Sequence, residues 1–223
     1  VSDPELTVTG YSQAEALAKY LKNNQERDES VEWNSQNQAG FGLTHIYTSL
    51  MVRAVATADP IAKVLKLPLH AWPEIHETGG IYSRVEGKEQ ACLSGKPRSY
   101  FEDKHPILVL PDWLDEKGWW NRPFEERENR KPRAEMVWQE ILRKHGDQPG
   151  KAEDRVAVIS HGGFFNYLLT SAIGVNFPPI SDTRHKFWFL MNNCAISRFD
   201  FDSEQVLVCY INRHEYLPHD LLT

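Results

Sequence analysis

The chain has 223 residues, 41% of them hydrophobic and 25% charged, with a formal net charge of -6. That length suits one fairly large domain or two very small ones and can bury roughly 70% of the unfolded surface, so no covalent or metal staple is required. The acidic balance argues against a nucleic-acid binder, and no apolar run approaches the length of a bilayer span.

Cys92, Cys194 and Cys209 form neither a CxxC pair nor an even set, the pattern of reduced intracellular thiols. No signal-peptide pattern opens the chain and no Asn-x-Ser/Thr sequon occurs, so a cytoplasmic protein with no membrane partner is expected. The first residue is Val1 rather than methionine, and Ser2-Asp3-Pro4 reads as a turn. Natural residues are therefore expected to precede it.

A loop from Asp3 to Gly10 leads to a first helix, capped by Thr9 or by Ser12 with Glu15 at capping-box spacing. Ala14, Leu17, Ala18 and Leu21 mark its buried stripe. Residues 22–41 are polar and read as an exposed excursion. His45 to Ser49 has strand character, and Met51 to Leu65 reads as a helix that Pro60 should kink or break near Asp59. Leu67 to Trp72 suggests a second strand. Residues 74–130 lack strong periodicity and read as a lid or insertion carrying some helix.

Order returns at Lys131-Pro132, where Pro132 suits a first helical turn and Ala134, Val137, Trp138 and Ile141 give an apolar stripe. Asp147 to Asp154 reads as a linker into a strand over Val156 to Ser160. The helix after it should end near Gly174. Phe187 to Met191, Ala195 to Asp200 and Val206 to Ile211 look like strands, the last two a hairpin. Alternating strands and helices point to one α/β domain over residues 1–223, with helices on both faces and the insertion at about 74–130.

Three segments carry candidate chemistry. Arg155-Val-Ala-Val-Ile-Ser-His161-Gly162-Gly163-Phe164 is a buried strand stopping at a βα turn, where glycines admit a ligand and a helix N-terminus faces an anion. His161 thus sits where a phosphate can be held; a histidine satisfied at a strand end is the alternative. Ile46-Tyr-Thr-Ser49-Leu-Met-Val-Arg53 is a second strand running into a helix. Arg53 there either matches phosphate oxygens with its planar fork or pairs with a surface carboxylate. In Pro73-Glu74-Ile75-His76-Glu77-Thr78-Gly79-Gly80, Glu74 and Glu77 are both candidates for a general acid, and either can simply be solvated.

The ordered set Asp3 to Gly10, Ser49–Arg53–Thr57-Ala58, Glu77, Ser160-His161-Gly162-Gly163, Asn193 to Ser197 and Ile211-Asn212 resembles the histidine phosphatase (phosphoglycerate-mutase-like) superfamily. The resemblance implies a three-layer α/β/α fold with a mostly parallel sheet. It also implies a phosphomonoester hydrolase that forms a phosphohistidine and acts on a small phosphorylated metabolite without cofactor or metal. Arg53 would clamp the phosphoryl group, His161 stabilise its oxygens, Gly162 donate a backbone N–H, and Glu77 protonate the leaving alkoxide. The family's Arg-His-Gly strand, which carries the nucleophile, should precede Asp3 and is expected upstream of Val1.

Arg184-His185-Lys186 and Arg213-His214 are poor substitutes for that motif, the first following no apolar run and the second lacking the glycine. Tyr82, Arg84, Lys88, Lys96, Arg98, Trp119, Trp120 and Arg122 are expected to roof the pocket, with Trp119-Trp120 as a core anchor the other reading. The alternatives are a phosphoglycerate-mutase-type phosphotransferase, or an inactive interaction protein if the natural chain begins at Val1. His70 and His76, six apart, have no metal-ligand register, so no metal site is expected. Homodimerisation is left open.

Overall fold

A computed structural model describes residues 3–31, 34–83, 91–146, 150, 152–174, 188–201 and 205–223. In chain order these form α1 (Val8–Asn23), β1 (His45–Thr48), α2 (Val52–Leu65), β2 (Leu69–Ala71), a 3₁₀ turn at Pro73–Ile75, β3 (Tyr82–Ser83), β4 (Ala91–Cys92) and α3 (Arg98–Lys104). They continue with β5 (Leu108–Val109), α4 (Arg127–His145), β6 (Val156–Ile159), α5 (Gly162–Ala172), β7 (Ile196–Phe201) and β8 (Val206–Arg213).

The central sheet is parallel, in the order β5-β2-β1-β6. Successive side chains of a strand point to opposite faces, and two apolar layers follow from that alternation. Ile46 and Leu69 face a cluster with Leu17 and Leu21 of α1 and Val55, Ala58 and Ile61 of α2. Tyr47 and Val158 face a second cluster built from Val137, Trp138 and Ile141 of α4 and Phe164 of α5. The result is the expected α/β/α sandwich. β7 and β8 form a separate antiparallel hairpin, yet Ile196 joins the first cluster and Phe201 the second, with its ring 5.3 Å from Trp138. The hairpin thus extends the sheet layer without hydrogen-bonding to β6 among the described residues.

Several expectations are corrected. The first helix is capped by Thr7, whose Oγ1 accepts from Gly10 N at 3.1 Å, because the helix starts before Thr9 and Ser12. Residues 22–41 are not simply exposed: Asn34, Asn37 and Phe41 are buried, and Asn34 bridges Gly40 O and Ala39 N to fold the loop on itself. Pro60 removes one helical hydrogen bond without ending α2, whose buried Val55, Ala58, Ile61 and Ala62 hold both halves to the core. The 74–130 insertion contributes β5 to the central sheet, a strand too short to show periodicity. α4 begins at Arg127, so Pro132 lies within it. Residues 188–191 are not a strand. Arg84, Lys88 and Arg184-His185-Lys186 lie outside the described residues.

Candidate active site

The carboxyl ends of β1 and β6 lie side by side, with Thr48 paired to Ile159, and each strand runs into a helix. Ser49 follows β1, and its Oγ shares a 2.7 Å hydrogen bond with His161 Nε2. His161 is the residue before α5 and is 8% exposed. Burial first, then the charge of Arg53 and the fields of the neighbouring His76 and Arg133 side chains, holds its imidazole well below the usual histidine range. It is therefore neutral at physiological pH, a hydrogen-bonding group rather than a resident cation.

Both helix N-termini at this place are occupied by carboxylates. Asp3 accepts from Val52 N at 3.0 and 3.1 Å and lies 4.0 Å from Arg53 Nη1. Its side chain is almost fully buried, and that burial raises its pKa to about 6 against the opposing pull of the Val52 N–H, Arg53 and Lys96. Glu77 accepts from Thr78 N at 2.7 Å, Phe164 N at 2.9 Å and Gly163 N at 3.1 Å. The first-turn N–H groups of a helix have no intrahelical partner and attract anions, and Glu77 meets that need for α5. A Cβ on Gly163 would overlap this carboxylate, so the glycine permits the approach. The contact with Glu77 uses the Gly163 and Phe164 N–H groups.

The two candidate glutamates separate clearly. Glu74 forms a bidentate pair with Arg122 at 3.0 and 3.1 Å; burial pushes its pKa up, but Arg122 together with His76 and Arg133 brings it below the ordinary value. Only Glu77 reaches α5. The loop bearing it is fastened from below by Arg133, which donates to Glu74 O at 2.7 Å, to His76 O at 3.1 Å and to both oxygens of Glu125 at 2.5 and 2.8 Å. Glu125 in turn accepts from Gly79 N at 3.2 Å. Gly79 and Gly80 have φ of +88° and +77°, which glycine alone adopts freely, and a Cβ on Gly80 would overlap Trp120. His76 is fully buried against Trp120, with ring centroids 4.6 Å apart; burial and the Arg133 charge lower its pKa to about 4.

Arg53, His161 and Glu77 are thus gathered in one place, with Ser49 and Asp3 beside them. Asp3, Ser49, Arg133 and Glu125 carry positional roles that motif spacing alone does not assign. Arg133 had a usable signal: it stands one helical turn before Val137, on the buried face of α4, where an unpaired arginine is rare. The expected roof is mostly committed elsewhere. Trp119 and Trp120 are buried in the core, Arg98 donates to Leu114 O and Pro111 O, and Tyr82 packs on Phe124. Lys96, over the Tyr100 ring, is the one whose charge is felt at Asp3. Arg213 donates to Gln36 O, and His214 contacts Asn212 O and Asn192 Nδ2.

A family model described as histidine phosphatase superfamily (branch 1) matches residues 1–213. Among solved structures, a mutant of the phosphoserine phosphatase from Entamoeba histolytica in complex with phosphoserine is similar at TM-score 0.54 and 18% identity, over 97% of this chain and 88% of that one. A mycobacterial glucosyl-3-phosphoglycerate phosphatase complexed with VO3 is similar at TM-score 0.53 and 18% identity, over 95% and 88%. The ecdysone phosphate phosphatase of the silkworm Bombyx mori, in complex with tungstate, reaches TM-score 0.55 at 15% identity, over 88% and 68%. At these identities the likeness concerns the fold. No curated protein matches the chain.

Proposed function

Because the chain belongs to the histidine phosphatase superfamily, branch 1, we propose that it is a phosphomonoester hydrolase acting through a phosphohistidine on a small phosphorylated metabolite. The observation that carries this reading is the meeting of Arg53, His161 and Glu77 at the carboxyl ends of β1 and β6, against the N-termini of α2 and α5. Ligands of open α/β sheets gather there.

In the first step a histidine nitrogen forms a bond to phosphorus as the ester P–O bond breaks. The leaving alkoxide takes a proton from Glu77. In the second step water attacks phosphorus, gives its proton back to Glu77, and releases phosphate and the free histidine. Negative charge spreads over the equatorial oxygens in both transition states, so positioned donors supply most of the stabilisation. Arg53 brings the fixed charge, and neutral His161 acts as a hydrogen-bond donor. Phosphoryl oxygens compete with Asp3 and Glu77 for the helix N-termini, so substrate binding displaces at least one of the two carboxylates.

The nucleophile is assigned to a histidine on a strand upstream of Val1. Three free thiols support a reducing, cytoplasmic setting, and no helix of the described residues is long and apolar enough to cross a membrane. The test uses the natural protein with any residues encoded before Val1, a panel of phosphomonoesters, and acid quenching. Released phosphate together with an acid-labile phosphoenzyme is expected; a protein that leaves every ester intact and forms no phosphoenzyme refutes the proposal.

A further inference from the structure

At the opposite end of the sheet, a second group of titratable side chains converges that the proposed reaction does not use. His45 opens β1, Asp154 precedes β6, and His145 is the last residue of α4. His145 Nδ1 lies 2.9 Å from Asp154 Oδ2, and His45 Nδ1 lies 3.7 Å from Asp154 Oδ1. The two imidazole rings are 4.7 Å apart between centroids. One ligand atom from each of the three residues falls within 4.8 Å of the others. Because β1 and β6 are parallel, this cluster is separated from His161 by the length of a strand, roughly 13 Å for four residues.

We propose that His45, His145 and Asp154 form a binding site for a divalent transition-metal ion of the Zn²⁺ type. Two imidazole nitrogens and one carboxylate are a donor set such ions accept, with water completing the shell. Metal–ligand bonds of about 2.0–2.1 Å in a tetrahedron place ligand atoms about 3.3 Å apart. The contacts to Asp154, 2.9 Å to Oδ2 and 3.7 Å to Oδ1, lie close to that spacing, and a set of one atom per residue, now within 4.8 Å, would draw in on binding. His45 and Asp154 are each about one-third exposed, so both can adjust, whereas His145 is buried and already aimed.

Two surroundings favour a cation. His145 Nε2 is hydrogen-bonded to Tyr47 OH at 3.1 Å, the outer partner that orients a ligating imidazole and leaves Nδ1 for the metal. The cluster also sits at the C-terminal end of the 19-residue α4, where the helix dipole presents its negative pole. Against these, Lys144 lies over the Tyr47 ring at 5.7 Å, but Glu140 pairs with it at 3.3 Å. Thr44 Oγ1, now 2.8 Å from His45 Nδ1, would give up that contact when the metal binds.

The test titrates the metal-free protein with Co²⁺ at neutral pH and follows its visible d–d absorption. One equivalent giving an intense, tetrahedral-type band that Zn²⁺ abolishes is expected. His45→Ala and Asp154→Asn, each checked for a native circular dichroism spectrum, should weaken Co²⁺ binding at least about a hundredfold, and Tyr47→Phe about tenfold or more. Asp154→Asn removes a partly exposed carboxylate at nearly constant volume, so it serves if His45→Ala fails to fold. Absence of a one-equivalent band, or a band that persists in both ligand variants, overturns the proposal and leaves the cluster as an ion pair tying α4 to β6.

Discussion

In the proposed reaction His161 and Arg53 divide the work of phosphoryl transfer: one is a buried neutral donor, the other a partly exposed cation whose field, after burial, depresses it. Removal of one preorganised donor or cation from such a site costs on the order of 10²–10³ in turnover. His161→Ala and Arg53→Ala are each expected to lose at least that much in kcat against the best phosphomonoester found. A loss under about tenfold in either would remove that residue from its role.

The same neighbourhood fixes the pH response of stability. His76 has its pKa lowered to about 4 by burial and Arg133, so its contribution is complete above the ordinary value of 6.5 and is lost as pH falls through 4. Asp3 has the opposite sign: raised to about 6 by burial, it contributes fully below the ordinary 3.8 and loses that contribution as pH rises through 6. Shifts of this size correspond to about 3 kcal/mol each. Urea unfolding at a series of pH values should therefore show that His76→Gln flattens the loss toward acid, while Asp3→Asn steepens it. Unchanged slopes in both variants would show that these groups are not buried as described.

At the scale of elements, the decisive contact is the grip of α4 on the loop that presents Glu77. Arg133 and Glu125 are both over 90% buried and pair with two oxygens, and Arg133 also satisfies two carbonyls of the loop. Removing one partner of such a pair strands the other as a buried charge, at about 3–5 kcal/mol. Arg133→Met should lower stability by that amount in chemical denaturation. Adding Glu125→Gln to it should recover part of the loss, because the stranded charge is then gone. A double variant no better than the single would mean that the two carbonyl bonds, not the ion pair, dominate.

How much of this was legible follows from the kind of signal each element leaves. α1, α2, α4 and α5 carry buried stripes at helical spacing, and β1 and β6 are β-branched runs stopped by Ser49 and by His161-Gly162, so both the elements and the convergence of their ends could be read. β5 could not, since Leu108 and Val109 are too few to show a period and owe their place to pairing with Leu69 and His70. The capture of the α5 N-terminus by Glu77 was likewise hidden. It depends on a loop fastened by Arg133 of α4 and by Glu125 just before that helix, both far along the chain.

At the scale of the whole molecule, the edge of β6 that faces the β7–β8 hairpin decides how the sheet layer is completed. Val156-Ala-Val-Ile159 has the uninterrupted apolar character of a strand buried on both faces in the interior of a parallel sheet. Yet all four residues are only half-buried, whereas β1, paired on both sides, buries Ile46 and Thr48 completely. Among the described residues β6 pairs with β1 alone, and the β7–β8 hairpin continues the layer, packed on the same two clusters. A strand donated from before Val1 and pairing in parallel with β6 would satisfy that edge and set its carboxyl end beside His161, where the proposed reaction needs its nucleophile. Four new backbone hydrogen bonds at about 1 kcal/mol each, plus apolar burial at about 25 cal/mol per Å², amount to several kcal/mol. Between the 223-residue chain and one extended upstream, amide exchange at Val156–Ile159 should slow by at least about a hundredfold and the unfolding midpoint should rise. Equal exchange rates in the two proteins would place any upstream segment elsewhere and take the phosphohistidine mechanism away from this site.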